Sequence, residues 1–300
     1  MRREHIIRAH GQNFVLGRRT WIMGILNITP DSFSDGGLYF NTAQALAQGR
    51  RLIAEGADIL DIGGESTRPG SDAVPAEEEK KRILPVITEL RKGTDVLISV
   101  DTTKVDVAEA ALDAGADIIN DISAGRFDKR ILPLAAERDV PVILMHMLGI
   151  PKSMQVEPHY DDLLPEIKAF FEERIEEAVL QGVRRDHLIL DPGIGFGKRH
   201  QDNLCLLKHL RYMGGLERPL LVGISRKSFI GRILHDAPLE ERMEGTIAAA
   251  LISMLHGAHI LRVHDVAAVK KAVTVAEAIM YNTRYCGSAE SGGTNREHHV

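Results

Sequence analysis

Gly56-Ala-Asp-Ile-Leu-Asp-Ile62, Gly115-Ala-Asp-Ile-Ile-Asn-Asp121 and Gly257-Ala-His-Ile-Leu-Arg-Val263 are three copies of one phrase. Each opens on a glycine suited to stopping a helix, runs on as a short apolar strand and ends on polar side chains. Outward from these copies, β-type runs alternate with helical stretches along the chain. Strands are predicted at 20–27, 58–62, 96–101, 117–121, 140–146, 187–191, 219–224 and 259–263. Helices are predicted between and after them, at 42–55, 76–91, 104–114, 128–138, 160–181, 201–210, 240–256 and 265–284. Their apolar residues fall three and four apart, as at Ile83, Val86, Ile87 and Leu90, so each keeps one face for a sheet. Eight βα units point to an α/β chain folded as a (β/α)8 TIM barrel, a single domain, with a doubly wound open sheet as the alternative that periodicity leaves open. Residues 1–20, with short apolar runs around Gly11 and Gly17, are expected to form an N-terminal hairpin or cap; 21–285 are the barrel and 286–300 a flexible polar tail.

The composition narrows the function classes. A chain of 300 residues, 44% hydrophobic and 26% charged, can bury a large core. A net charge of -5 and a pI near 6.2 argue against a nucleic-acid surface, so an anionic substrate would have to be met by local cations. The first residues lack the apolar core of a signal peptide, and the longest apolar stretch, 246–260, is interrupted by His256, Gly257 and His259, so no membrane span is expected. Cys205 and Cys286 have neither disulfide-framework nor metal spacing; both are expected reduced, in a cytoplasmic protein.

In a barrel the C-terminal strand ends share one mouth, and here every end is polar: Asn27, Asp61, Asp101, Asn120 with Asp121, His146, Asp191, Ser225-Arg-Lys227, and Arg262 with His264. One aspartate closing a strand is ordinarily a helix cap, but eight polar ends outweigh that reading. Asp101, Asn120 and Asp191 suit the edge of a planar heterocycle that offers amine and ring N–H donors. Arg68, Lys227, Arg262 and His264 are cations suited to a phosphate, and Asn27 offers the neutral oxygen that Mg²⁺ accepts beside substrate phosphates and water. Ile189 to Lys198 delivers Asp191 to a loop with three glycines; it lacks both nucleotide-binding glycine motifs, so it reads as backbone lying close to a ligand. Cys205, in helical spacing with Leu204 and Leu207, reads as core, and no Ser-His-Asp or His-Glu-x-x-His set is evident.

These residues together resemble the dihydropteroate synthase family, from about Trp21 to Tyr285. The likeness is carried by Gly24-Ile-Leu-Asn-Ile-Thr-Pro-Asp-Ser-Phe-Ser-Asp-Gly-Gly37, Gly63-Gly-Glu-Ser-Thr-Arg-Pro-Gly70, Ser99-Val-Asp-Thr-Thr-Lys104, Asn120-Asp-Ile122, Met145-His-Met147, Asp191-Pro-Gly-Ile-Gly-Phe-Gly-Lys198, Ser225-Arg-Lys-Ser-Phe-Ile-Gly231 and Arg262-Val-His-Asp265. The resemblance implies a (β/α)8 barrel that condenses 6-hydroxymethyl-7,8-dihydropterin pyrophosphate with 4-aminobenzoate, releasing pyrophosphate. It implies that Asp101, Asn120, Asp191 and Lys227 hold the pterin, with Arg262 on its face and Ile122, Met145 and Phe196 lining the pocket. Asn27, Arg262 and His264 would meet the pyrophosphate with Mg²⁺. Phe33, Thr67, Arg68, Pro69, Ser225 and Lys227 would shape the aminobenzoate site, where sulfonamides compete, and Asp35 would assist the developing cation. The loops at 28–38 and 63–73 would close over the second substrate. A homodimer is the family expectation. The rivals are a pterin-binding methyltransferase domain, disfavoured by the cations at 262–264 and the absence of a corrinoid module, and a catalytically silent pterin-binding barrel.

Overall fold

The computed structural model describes residues 2–29, 38–66 and 73–281. Strands β1 (His5–Ala9) and β2 (Gln12–Leu16) pair antiparallel about His10 and Gly11, both at positive φ (50° and 69°), as a two-residue hairpin with right-handed strand twist requires. Eight parallel strands follow: β3 (Trp21–Asn27), β4 (Ile59–Gly63), β5 (Leu97–Asp101), β6 (Ile118–Asp121), β7 (Val142–Met145), β8 (Leu188–Asp191), β9 (Leu221–Gly223) and β10 (Ile260–Val263). They pair in the order β8-β7-β6-β5-β4-β3-β10-β9. The two outer members also meet, through a bridge between Leu190 and Leu220 and a 3.0 Å bond from the Leu190 N–H to the Pro219 carbonyl. The sheet is therefore closed, and the open-sheet alternative falls.

The helices are α1 (Leu38–Ala54), α2 (Ala76–Arg91), α3 (Val105–Asp113), α4 (Ile131–Glu137), α5 (Leu163–Leu180), α6 (His200–Lys208), α7 (Ser228–Ile233), α8 (Met243–Leu255) and α9 (Val266–Met280). The predicted helices match eight of these to within a few residues at their ends. The exception is α7, whose six residues carry less than two turns of periodicity and so leave no pattern to read. Among the described residues, no helix is long and apolar enough to cross a membrane. Residues 286–300 lie outside the described residues.

The repeated phrase is a joint between helix and strand. At each copy the glycine takes positive φ (96°, 109° and 108°) and ends α1, α3 or α8. The N–H of the following alanine then reaches back to Leu52, Ala111 or Ser253, at 2.9–3.0 Å. The third residue caps the neighbouring strand: Asp58 accepts from the Ile22 N–H (2.9 Å), Asp117 from Ile98 (2.8 Å), and the His259 ring Nδ1 from Leu220 (3.1 Å). A shape recurs because the same backbone donors recur at the start of the preceding strand.

Alternation along the strands divides the core in two. Ile22, Leu60, Ile98, Ile119, Val142, Leu188, Val222 and Leu261 face the helices. Their neighbours Met23, Ile59, Leu97, Ile118, Ile143, Ile189, Leu221 and Ile260 fill the barrel, where they pack on Ile7, Ala9 and Leu16 of the hairpin. The hairpin thus plugs the N-terminal end and leaves the opposite end to the site. Removing one strand cap tests the joint. Asp117→Ala leaves the Ile98 N–H and the Arg91 guanidinium without the carboxylate they share, and is expected to cost about 1–3 kcal/mol; an unchanged urea midpoint would contradict this role.

Candidate active site

Two residues beyond the apolar floor the inward positions change character: Asp61, Ser99, Asn120, Met145, Asp191, Gly223 and Arg262 follow Ile59, Leu97, Ile118, Ile143, Ile189, Leu221 and Ile260. Arg262 crosses this layer. Its Nε lies 2.6 Å from Asp61 Oδ2, and its Nη2 lies 2.5 Å from the same oxygen and 2.6 Å from Asp101 Oδ2. Asn120 donates to both Asp61 oxygens at 3.2 Å. Burial pushes the Asp101 carboxyl up, and Arg262 opposes the rise. Burial likewise works against the Arg262 charge, but Asp61 and Asp101 outweigh it and hold its pKa above the ordinary value.

Asp191 closes β8 beside this trio. Its Oδ1 accepts the Gly193 N–H at 2.8 Å. A Cβ on Gly223 would stand 3.9 Å from its Oδ2, so the bare glycine keeps the space over that oxygen open. Burial raises the Asp191 pKa while Lys227 opposes it. Lys227 Nζ donates to the Ile194 carbonyl and lies 4.7 Å from the centre of the Phe196 ring. Burial brings its pKa down to about 8, against the pull of Asp191. Ile122, Met145, Met147, Met154 and Phe196 form a small apolar cluster alongside. Two carboxylates, an amide and an amine thus lie beside an apolar wall, an arrangement whose chemistry suits a planar ring with a polar edge.

On the far side of Arg262, Ser225 Oγ lies 3.0 Å from His264 Nδ1 and accepts the His264 N–H at 3.2 Å, which ties the ends of β9 and β10 together. The backbone sorts the two adjacent cations. Arg226 is held at φ 55°, with its guanidinium on Asp265 (2.6 and 2.9 Å) and its N–H on Thr246 Oγ1 (2.9 Å), so that Lys227 alone of the pair reaches Ile194.

A cleft of about 510 Å³ opens over Asp101 and Ile122, with Glu65, Thr102, Lys104 and Phe127 on its walls, a volume in the range of small-molecule sites. Glu65 accepts the Val74 N–H at 3.1 Å and pairs with Lys104, which also reaches Glu79 at 2.6 Å. The two ends of the second loop are thereby joined.

The sequence-derived residues Asp101, Asn120, Ile122, Met145, Asp191, Phe196, Ser225, Lys227, Arg262 and His264 therefore gather at one end of the barrel, with Asn27 at the end of β3 beside Gly63. Phe33, Asp35, Thr67, Arg68 and Pro69 lie outside the described residues. Asp121 turns to its own loop, where it accepts the Ser123 and Gly125 N–H groups at 2.7 and 2.6 Å. In the sequence Asp61 is only one strand end among eight, yet it is the residue on which Arg262 and Asn120 converge; its signal is its place two residues beyond Ile59 in the repeated phrase. The buried pair of His146 and Lys198 carries no comparable signal, since neither residue's spacing points to the other.

Residues 23–264 match the family described as pterin binding enzyme. The dihydropteroate synthase of Synechocystis sp. is 47% identical over 266 residues, which cover 89% of this chain and 92% of that protein. The Xanthomonas albilineans dihydropteroate synthase solved with 4-aminobenzoic acid superposes with a TM-score of 0.87 at 46% identity, covering 93% of this chain and 99% of that one. The same enzyme in complex with 7,8-dihydropteroate gives a TM-score of 0.81 at 45% identity, covering 89% and 96%.

The Lys227 environment makes a pH prediction. Its folded pKa is depressed to about 8, so the ammonium is present below that pH and lost as pH rises through it. One Cε resonance of ¹³C-labelled lysine should move near pH 8 and be missing from Lys227→Met; a Lys227 titration near its ordinary value would refute the assignment.

Proposed function

The chain belongs to the pterin binding enzymes, among the dihydropteroate synthases, and from that premise we propose how its residues divide the work. It condenses 6-hydroxymethyl-7,8-dihydropterin pyrophosphate with 4-aminobenzoate to give 7,8-dihydropteroate and pyrophosphate. The observation that carries the assignment of roles is the polar layer inside the barrel, where Asp61, Asp101, Asn120 and Asp191 surround Arg262 above an apolar floor.

In this reading Asp191 and Asp101 accept the amine and ring N–H donors of the pterin. Asn120, held on Asp61, and Lys227, held on Ile194, complete its edge. Ile122, Met145 and Phe196 provide the apolar wall, and Arg262 has a face toward the ring and a charge toward the diphosphate. Carbon–oxygen cleavage leaves positive charge that the electron-rich pterin disperses and negative charge on the departing pyrophosphate. Arg262 and His264 would meet that negative charge, and fixed donors in a partly buried site stabilise it more than mobile solvent would. The arylamine attacks in its neutral form, so no strong general base is required; Asp35 is retained as an assistant to the cation. Thr67, Arg68, Pro69 and Phe33, with Ser225 and Lys227, shape the aminobenzoate subsite, where sulfonamides would compete.

Among the described residues no group of three or more His, Cys, Asp or Glu is placed to hold a metal ion. Asn27, a neutral amide at the end of β3, nevertheless fits Mg²⁺, which commonly takes one or two protein oxygens and completes its octahedron with substrate phosphates and water. When bound it would neutralise charge on the leaving group. A cytoplasmic setting accords with the free thiol of Cys205. Exposed Ile252, Leu255, Val275, Ile279 and Met280 on α8 and α9 support a homodimer.

Three measurements test this reading. Protein incubated with the pterin pyrophosphate, 4-aminobenzoate and Mg²⁺ should yield dihydropteroate by mass, with chelation suppressing the yield; no product would overturn the proposal. Asp191→Ala should weaken pterin binding by roughly tenfold or more, since a buried site built to pair with N–H donors loses its acceptor, and an unchanged calorimetric affinity would remove Asp191 from its role. Sedimentation should show a dimer at micromolar concentration, and a monomer there would exclude α8 and α9 as a stable interface.

A further inference from the structure

Four successive carbonyls of the loop after β8 each accept a side-chain donor. Ile194 accepts from Lys227 Nζ, Gly195 from Gln155 Nε2 at 2.5 Å, Phe196 from Lys198 Nζ at 3.0 Å, and Gly197 from the Tyr160 hydroxyl at 2.7 Å. Lys227 belongs to the site, while Gln155 and Tyr160 arrive from the segment after β7. Lys198 turns beneath the loop, only 2% exposed, and takes no part in the chemistry above.

Besides the Phe196 carbonyl, its amine lies 2.9 Å from His146 Nδ1 and 3.3 Å from the His146 carbonyl. His146 follows β7 and is itself buried, its ring edge-on to Phe170. Burial, and then the nearby Lys198 charge, drives the His146 pKa down to about 2, so the ring is neutral and has a lone pair to offer. Three acceptors surround the Lys198 amine, whose pKa burial drives well below the ordinary value against the pull of Asp191. The strands touch at the same place, because the His146 N–H donates to the Asp191 carbonyl at 2.9 Å. A Cβ on Gly193, which sits at φ 67°, would fall 1.9 Å from the His146 carbonyl oxygen. Glycine is thus required at 193, and the two backbones are in direct contact beside the lysine.

We propose that Lys198 is a positioning residue for the pterin: its amine staples the end of β7 to the β8 loop and fixes where Asp191 and Phe196 meet the heterocycle. The proposal rests on the pterin reading of those two residues. The staple joins the loop that follows β7 to the loop that carries Phe196. Among the described residues its hydrogen bonds go to His146 and Phe196 and none to Ser225, which is on the aminobenzoate side. Its loss is therefore expected to separate the two substrates.

The test uses the full chain with Lys198→Met, which keeps the apolar length and removes the amine. The dissociation constant of 6-hydroxymethylpterin by calorimetry should rise about tenfold to a hundredfold, the scale of a small misplacement in a site. The Michaelis constant for the arylamine substrate, measured at saturating pterin pyrophosphate, should stay within about twofold, since independent sites change independently. Unchanged pterin affinity in a folded variant, or an equal rise for both substrates, overturns the proposal. Should Lys198→Met fail to fold, His146→Leu removes the partner acceptor from the other strand and is expected to show the same separation. If neither folds, Lys198 is a folding residue and the proposal is wrong. A parent chain that binds no pterin would overturn it differently, by removing the reading of the site itself.

Discussion

A guanidinium inside a β-barrel has to be neutralised where it stands, because moving an unpaired charge from water into an apolar interior costs several kcal/mol. Arg262 meets that demand with two carboxylates from different strands, Asp61 on β4 and Asp101 on β5. The pairing settles much else. It draws β10, β4 and β5 to a common centre and gives Asn120 a fixed acceptor. It also leaves charged groups half committed to one another, so that a ligand with N–H donors and a diphosphate can exchange partners with them without creating a buried orphan.

The loop after β8 solves a different problem. A loop packed against the segment after β7 must dispense with side chains where the two meet: a Cβ would fall 1.9 Å from the His146 carbonyl oxygen at Gly193 and 2.7 Å from that of Leu148 at Gly197, and Gly193, Gly195 and Gly197 sit at φ 67°, 83° and 63°. Glycine brings conformational freedom that would blur the site. Donors on four consecutive carbonyls remove that freedom, and Asn203 adds a fifth restraint by accepting the Gly195 N–H at 2.6 Å. The loop is therefore rigid through its surroundings rather than through its own residues.

Much of this is legible in the sequence because it depends on periodicity. Short apolar runs alternating with helical faces mark the strands, and the polar ends of those runs mark the mouth, so Asp101, Asn120, Asp191, Lys227 and Arg262 emerge from spacing and chemical type. What stays hidden depends on contact. Asp61 and Asp101 look alike as letters; only the structure shows that Asp61 is fully buried and serves both Arg262 and Asn120. Arg226 and Lys227 are neighbouring cations, and the left-handed turn at Arg226 that separates them arises from Thr246, Arg242 and Asp265, all distant in sequence. Lys198 is only the last residue of a glycine loop in the sequence, because its partner, His146, lies 52 residues away. The repeated Asp and His of the glycine phrase are visible as a pattern, while their work as strand caps requires the neighbouring strand.

The hairpin that plugs the barrel has one more consequence. Arg2 donates to the Ala258 carbonyl at 2.7 Å and pairs with Glu277 at 2.8 Å, and the Arg3 carbonyl lies 3.1 Å from the His259 ring. These are contacts across 256 positions or more of chain, among the most distant in sequence that a barrel of this length can make. Each doubling of an enclosed loop adds only about 0.6 kcal/mol of closure entropy, so the final structure bears such separations easily. Time is another matter. On the ribosome the hairpin must wait for partners made 256 positions later, its apolar faces uncovered while β10 and α9 are still to be synthesised, and the barrel acquires its floor only when its eighth parallel strand arrives.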